Sequence, residues 1–237
     1  MTEKVIDGYR YIGYLSLPRI GRDLPILAEL LARELRDMAA AMLGREPDPN
    51  CRILVAGLGN PAMTPDAVGP GTVSRLTVTR HLRGYDESLY AALGCCELSA
   101  VSPGVLGQTG MESAELVKCA AELVHPHLIV AVDALAAASC ERLSSTVQLT
   151  DRGISPGAGI GNRRPGLNAE TMGCPVMGVG IPTVVDALLD EDTPTMVTPR
   201  EIDVMISRGA RLLAWSIHAA LQPTYSPMEL SAIASGM

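Results

Sequence analysis

Residues 52–66 read RILVAGLGNPAMTPD, and residues 128–133 read LIVAVD. Each holds a short apolar run without polar alternation, and each delivers an aspartate just after it. Runs of this kind are strands covered on both faces, the habit of a parallel sheet lying between helix layers. Gly59 stops the first strand, and the second runs straight into Asp133.

Working outward, the flanking segments have helical spacing. Asp23 is placed to cap a helix in which Ile26, Leu27, Leu30, Leu31 and Met38 recur on one side, ending near Gly44. Glu97–Val101 reads as a further strand. Thr109 and Glu112 are spaced as a capping box for a helix carrying Leu116, Val117, Ala120, Leu123 and Val124. Ser145–Leu149 and Val176–Gly180 are two more strand candidates, separated by a Gly-rich stretch. Thr198, Pro199 and Glu201 open a last helix that runs to about Leu221. Strands alternating with helices predict an α/β fold: a mostly parallel sheet with helices on both faces, a three-layer sandwich. No repeat or long linker divides the chain. Residues 1–237 therefore read as a single α/β peptidase-like domain, with an N-terminal arm over 1–22 and a core over 52–221.

Composition narrows the partners. The 237 residues are 47% hydrophobic but only 3% aromatic, so Leu, Val, Ile, Ala and Met must fill the core. The 26 acidic and 19 basic residues give a formal charge of −7, which disfavours nucleic acid and anionic membrane surfaces. No run of about 18 apolar residues is present, and the opening MTEK has no signal-segment pattern. The expectation is a cytoplasmic protein. The six cysteines show no zinc-like spacing and read as reduced, mostly buried thiols.

Several chemistries fit fragments of the sequence. Gly57 and Gly59 suggest a dinucleotide fingerprint, but Pro61 and Pro65 interrupt the helix that would receive the pyrophosphate. GLGNP is similar to the opening of peptidyl-tRNA hydrolases, yet the nearest downstream histidine is His81. In a parallel sheet the binding crevice lies beyond the carboxyl ends of the strands, where Asp66 and Asp133 both fall. Two carboxylates held together cannot both ionise readily, so one activates water while the other supplies a proton. Each alone also reads as a cap or a turn residue. Cys140 with His125 or His127 is a poorer pair, because a buried strand separates them.

Six ordered blocks carry a more specific signal. They are VAGLGNPAMTPDAVGP (Val55–Pro70), SPGVLGQTGMESAELVK (Ser102–Lys118), IVAVDALAAAS (Ile129–Ser139), ISPGAGIGNRR (Ile154–Arg164), GIPTVVDA (Gly180–Ala187) and MVTPREIDVMI (Met196–Ile206). In this order the chain resembles the germination protease family, spore endopeptidases that degrade small acid-soluble spore proteins. The resemblance implies an atypical aspartic-type endopeptidase with no metal or other cofactor. It also implies a fold similar to that of hydrogenase maturation endopeptidases, with Asp66 and Asp133 as the catalytic pair. A protein substrate, a spore-core or forespore location and a homo-oligomer are further expectations it admits.

Asn60, Gln108 and Asn162 are candidates for orienting substrate amides, and Arg163 and Arg164 for pairing with an acidic side chain near the scissile bond. Asp186 reads as a helix cap or packing partner. The chain departs from the family in its short N-terminal arm and in having only about ten residues between Ala187 and Val197. Two alternatives follow: a non-catalytic sporulation-related binding module, and a metal-dependent endopeptidase of the hydrogenase-maturation kind.

Overall fold

The two apolar runs are neighbouring parallel strands. A computed structural model of the chain describes residues 2–6, 9–13, 24–157, 164–188, 194–222, 224–226 and 229. Its strands are β1 (Thr2–Ile6), β2 (Tyr9–Gly13), β3 (Arg52–Leu58), β4 (Glu97–Gly104), β5 (Leu128–Ala137), β6 (Thr146–Thr150), β7 (Val176–Leu188) and β8 (Pro194–Val197). The helices are α1 (Leu24–Leu43), α2 (Val68–Val73), α3 (Arg80–Tyr85), α4 (Glu87–Leu93), α5 (Leu106–Thr109), α6 (Ser113–Val124), α7 (Ala169–Met172) and α8 (Ile202–Leu221).

The sheet order is β1-β2-β6-β7-β5-β3-β4, with β8 also pairing β7. Its centre, β7-β5-β3-β4, is parallel; β6, β2, β1 and β8 are added through antiparallel pairings. From β3 the chain passes first to β4 on one side and then to β5 on the other. The order thus reverses at β3, and such a reversal opens a crevice at the strand carboxyl ends.

Alternation along the strands feeds two cores. Ile53 and Val55 of β3, with Val130 and Val132 of β5, pack under α1 and α8, while Leu54, Ala56, Ile129 and Ala131 pack under α6 and α7. This is the three-layer arrangement that the unbroken apolar runs imply. A smaller cluster of Leu82, Tyr90, Leu93 and Cys95 seats α3 and α4, and Glu97 ties α3 to the sheet through Arg80 and Arg83 at 3.4 and 3.0 Å.

Several local expectations shift. The inner face of α1 is Leu24, Ala28, Leu31, Leu35 and Ala39, and Ile26 is exposed; α6 likewise buries Ala114, Val117, Ala121 and Val124 and exposes Leu123. Each inner face mixes alanine with larger apolar residues, and Ile26 and Leu123 fall on the outer side. Glu112 itself is the residue before α6, its N–H received by Glu115 at 3.4 Å, while Thr109 belongs to the short α5. The last helix begins at Ile202, behind Glu201, rather than at Pro199. Asp23 lies outside the described residues. The N-terminal arm supplies β1 and β2, an antiparallel pair that extends the sheet beyond β6. Asp186 is an exposed residue within β7, opposite Met196 of β8, and caps no helix. Cys51, Cys95 and Cys96 are buried thiols, but Cys119 and Cys140 are exposed.

Candidate active site

The last register pair between β3 and β5 is Gly57 with Val132. Beyond it the strands part. β3 turns away at Gly59, whose φ of +114° suits glycine, and where a Cβ would stand 2.0 Å from the Asp66 carbonyl oxygen. The chain then folds back through a 3-10 turn, Thr64–Asp66, which brings Asp66 over the split. β5 does not stop at Asp133, as a strand-end turn would require, but continues to Ala137 beside β7. Asp133 is therefore held inside a strand, and it is 6% exposed.

Each carboxylate receives a backbone N–H beside the split. Asn60 N donates to Asp66 Oδ2 at 2.7 Å, and Ala134 N donates to Asp133 Oδ1 at 2.9 Å. Burial pushes the Asp133 carboxyl up to about 7; the Asp66 charge adds to this, and the Ala134 N–H opposes it. Burial also raises Asp66, against the pull of the Asn60 N–H and the Arg164 charge. The Asp66 charge thus reaches Asp133 across the same crevice, and Asp133 holds its proton up to about 7.

That crevice measures about 600 Å³. Its lining includes both aspartates together with Ser113, Gln148, Thr150, Arg152 and Arg164. Gly180, opposite Asp133 on β7, lets the Leu135 side chain pack directly over it: a Cβ there would meet Leu135 Cδ1 at 2.5 Å. Asn60 and Gln108 are not among the lining residues; they bond to one another, with Gln108 Nε2 donating to Asn60 Oδ1 at 2.7 Å, and the Asn60 amide oxygen also receives Ala62 N at 2.9 Å. Arg164 approaches Glu112 at 4.0 Å. Asn162 and Arg163 lie outside the described residues.

Histidines do not border the site. His127 Nδ1 accepts the Arg52 N–H at the opposite end of β5, His125 caps α6, and His218 is buried in α8 against Tyr225 O. Among the described residues no group of three or more His, Cys, Asp or Glu could hold a metal ion. Nor is any helix of theirs long and apolar enough to cross a membrane.

Comparison with known proteins joins this geometry to a family. The family model described as Germination protease matches residues 25–194, which hold both aspartates and most of the crevice. The chain belongs to the germination protease family. Three similar curated relatives are themselves germination proteases. The one from Caldanaerobacter subterraneus subsp. tengcongensis is 37% identical, over 89% of this chain and 77% of the relative. That of Clostridium acetobutylicum is 34% identical over 92% and 80%, and that of Priestia megaterium 45% identical over 79% and 53%. Among solved structures the chain is similar to the NiFe hydrogenase maturation protease HycI from Thermococcus kodakarensis KOD1, with 18% identity and a TM-score of 0.43 over 77% of this chain and 97% of that one. As a germination protease homologue the chain is an endopeptidase, a hydrolase acting on protein.

Ser113, Gln148, Thr150 and Arg152 line the crevice although no motif in the sequence singles them out. Gln148 and Thr150 reach the crevice only because β6 lies antiparallel beside β7, pairing Gln148 with Gly180. A strand alternation counted from Val147 and Leu149 marks them as the opposite face, but not what that face meets.

Proposed function

We propose that this endopeptidase cleaves small acid-soluble spore proteins in the spore core or forespore, using Asp66 and Asp133 as its acid–base pair. The observation that carries the reading is the unequal treatment of two carboxyls in one crevice. Asp133 is deeply buried and holds its proton to about 7, whereas Asp66, which burial also raises, has that rise opposed by the Asn60 N–H and the Arg164 charge.

The roles follow from those charges. Ionised Asp66 takes a proton from water as the water oxygen bonds to the scissile carbonyl carbon. The C–N bond then breaks while protonated Asp133 gives its proton to the leaving nitrogen, so the products are a carboxyl and an amine. Arg164, beside Asp66 and Glu112, is suited to an acidic substrate side chain.

Asp66→Asn and Asp133→Asn test the pair. Each is expected to slow cleavage of a small acid-soluble spore protein by about 100-fold or more, the usual scale of acid–base assistance, with circular dichroism unchanged. Full activity in both variants would exclude the pair.

A further inference from the structure

The strand that carries Asp133 has an unused edge. From Asp133 to Ala137, β5 pairs with β7 on one side and, among the described residues, with no strand on the other. Backbone groups in a strand point alternately to its two neighbours. Ile129 N donates to Pro175 O on the β7 side, so Ala131, Asp133 and Leu135 also address β7, and Val130, Val132, Ala134 and Ala136 address the β3 side. The ladder with β3 ends at Val132, and Asp133 Oδ1 takes the Ala134 N–H. By this alternation the Ala134 carbonyl and both backbone groups of Ala136 address the side on which no described strand pairs, and Ala134, Leu135 and Ala136 border the crevice as partly exposed residues.

A row of unpaired strand groups is a template for another chain, and β-strand addition is a standard way to hold an extended peptide. This edge is set apart by where it starts: immediately after Asp133. Met63 and Met196 also border the crevice with exposed side chains, 57% and 38% accessible, and methionine adapts to varied apolar partners.

We infer that an extended segment of the protein substrate adds as a strand to the free edge of β5 at Ala134 and Ala136, which carries its scissile carbonyl past Asp133 and Asp66. The inference rests on the aspartate pair proposed above. Recognition then falls on the substrate backbone at every second residue, and a segment already folded into a helix is refused.

The test uses eight-residue peptides tiling one small acid-soluble spore protein, with binding to the full-length Asp133→Asn chain read by fluorescence polarisation. The tightest peptide is then N-methylated at one amide at a time. The expected pattern is a loss of binding of tenfold or more at alternate amides, with little change at those between. No binding by any peptide, or losses without a two-residue period, overturns the inference. Cleavage of the same peptides by the wild-type chain separates the two readings. A two-residue period without cleavage keeps the edge and discards the catalytic pair; cleavage without the period does the reverse. Ala136→Pro removes an N–H that β7 does not use, and is expected to weaken binding of the unmethylated peptide about tenfold without altering its cleavage products.

Discussion

Asp66 and Asp133 hold matching positions on either side of a parted ladder. Asp66 receives the Asn60 N–H at 2.7 Å, and Asp133 receives the Ala134 N–H at 2.9 Å, just past the last β3–β5 pair. Amides that would continue the ladder instead orient the two acids.

Stability should depend on pH through Asp133. A free aspartate ionises near 4, and this one near 7. Between those values the folded chain keeps a proton that the unfolded chain has lost, so the contribution is full below about 4 and is lost as pH rises through 7. Asp133→Asn is expected to raise the melting temperature at pH 8, by an amount on the order of a few kcal/mol in free energy, and to leave it nearly unchanged at pH 4. Thermal unfolding at the two pH values checks this.

Activity should fall as pH rises through about 7, where Asp133 loses its proton, and should also fall on the acidic side, where Asp66 gains one. Arg164 favours the Asp66 charge. Arg164→Gln is therefore expected to move the acidic limb of the kcat/KM profile to higher pH while the alkaline limb stays in place. A profile that does not move separates Arg164 from Asp66.

Gly59→Ala should damage both fold and site. Its positive φ alone costs a residue with a Cβ about 1–3 kcal/mol, and the new methyl would press on the backbone of Asp66. Urea unfolding should show at least that loss, and activity should drop further than stability does.

Asn60→Ala and Gln108→Ala should be mild. Asn60 reaches Asp66 through its backbone N–H, which the substitution retains, and among the described residues its side chain binds Ala62 N and Gln108. One such hydrogen bond contributes about 0.5–1.5 kcal/mol, so kcat/KM is expected to fall about tenfold at most. A loss of 100-fold in kinetic assays would mean that these side chains touch the substrate.

Much of the frame was legible because its signals are local. The apolar runs in β3 and β5 have no polar residue to place on a solvent face, so a sheet covered on both sides is their consistent setting. Helix faces were less legible. Ile26 and Leu123 have the apolar character of inner residues, yet the faces that α1 and α6 bury run through Leu31 and Leu35 and through Val117 and Ala121, which turns these two side chains outward.

The sequence by itself determined the α/β class, the alternation of strands and helices, the six family blocks and the nomination of Asp66 and Asp133. Only the tertiary structure decided that Asp133 lies within a strand and not at its end, and that β6 brings Gln148 and Thr150 to the crevice. Among the described residues it also left Ala134–Ala136 without a strand on the β3 side. Local propensity fixes where a strand can form, but which backbone groups lack a partner depends on where the neighbouring strand stops, and that is set by packing from distant parts of the chain.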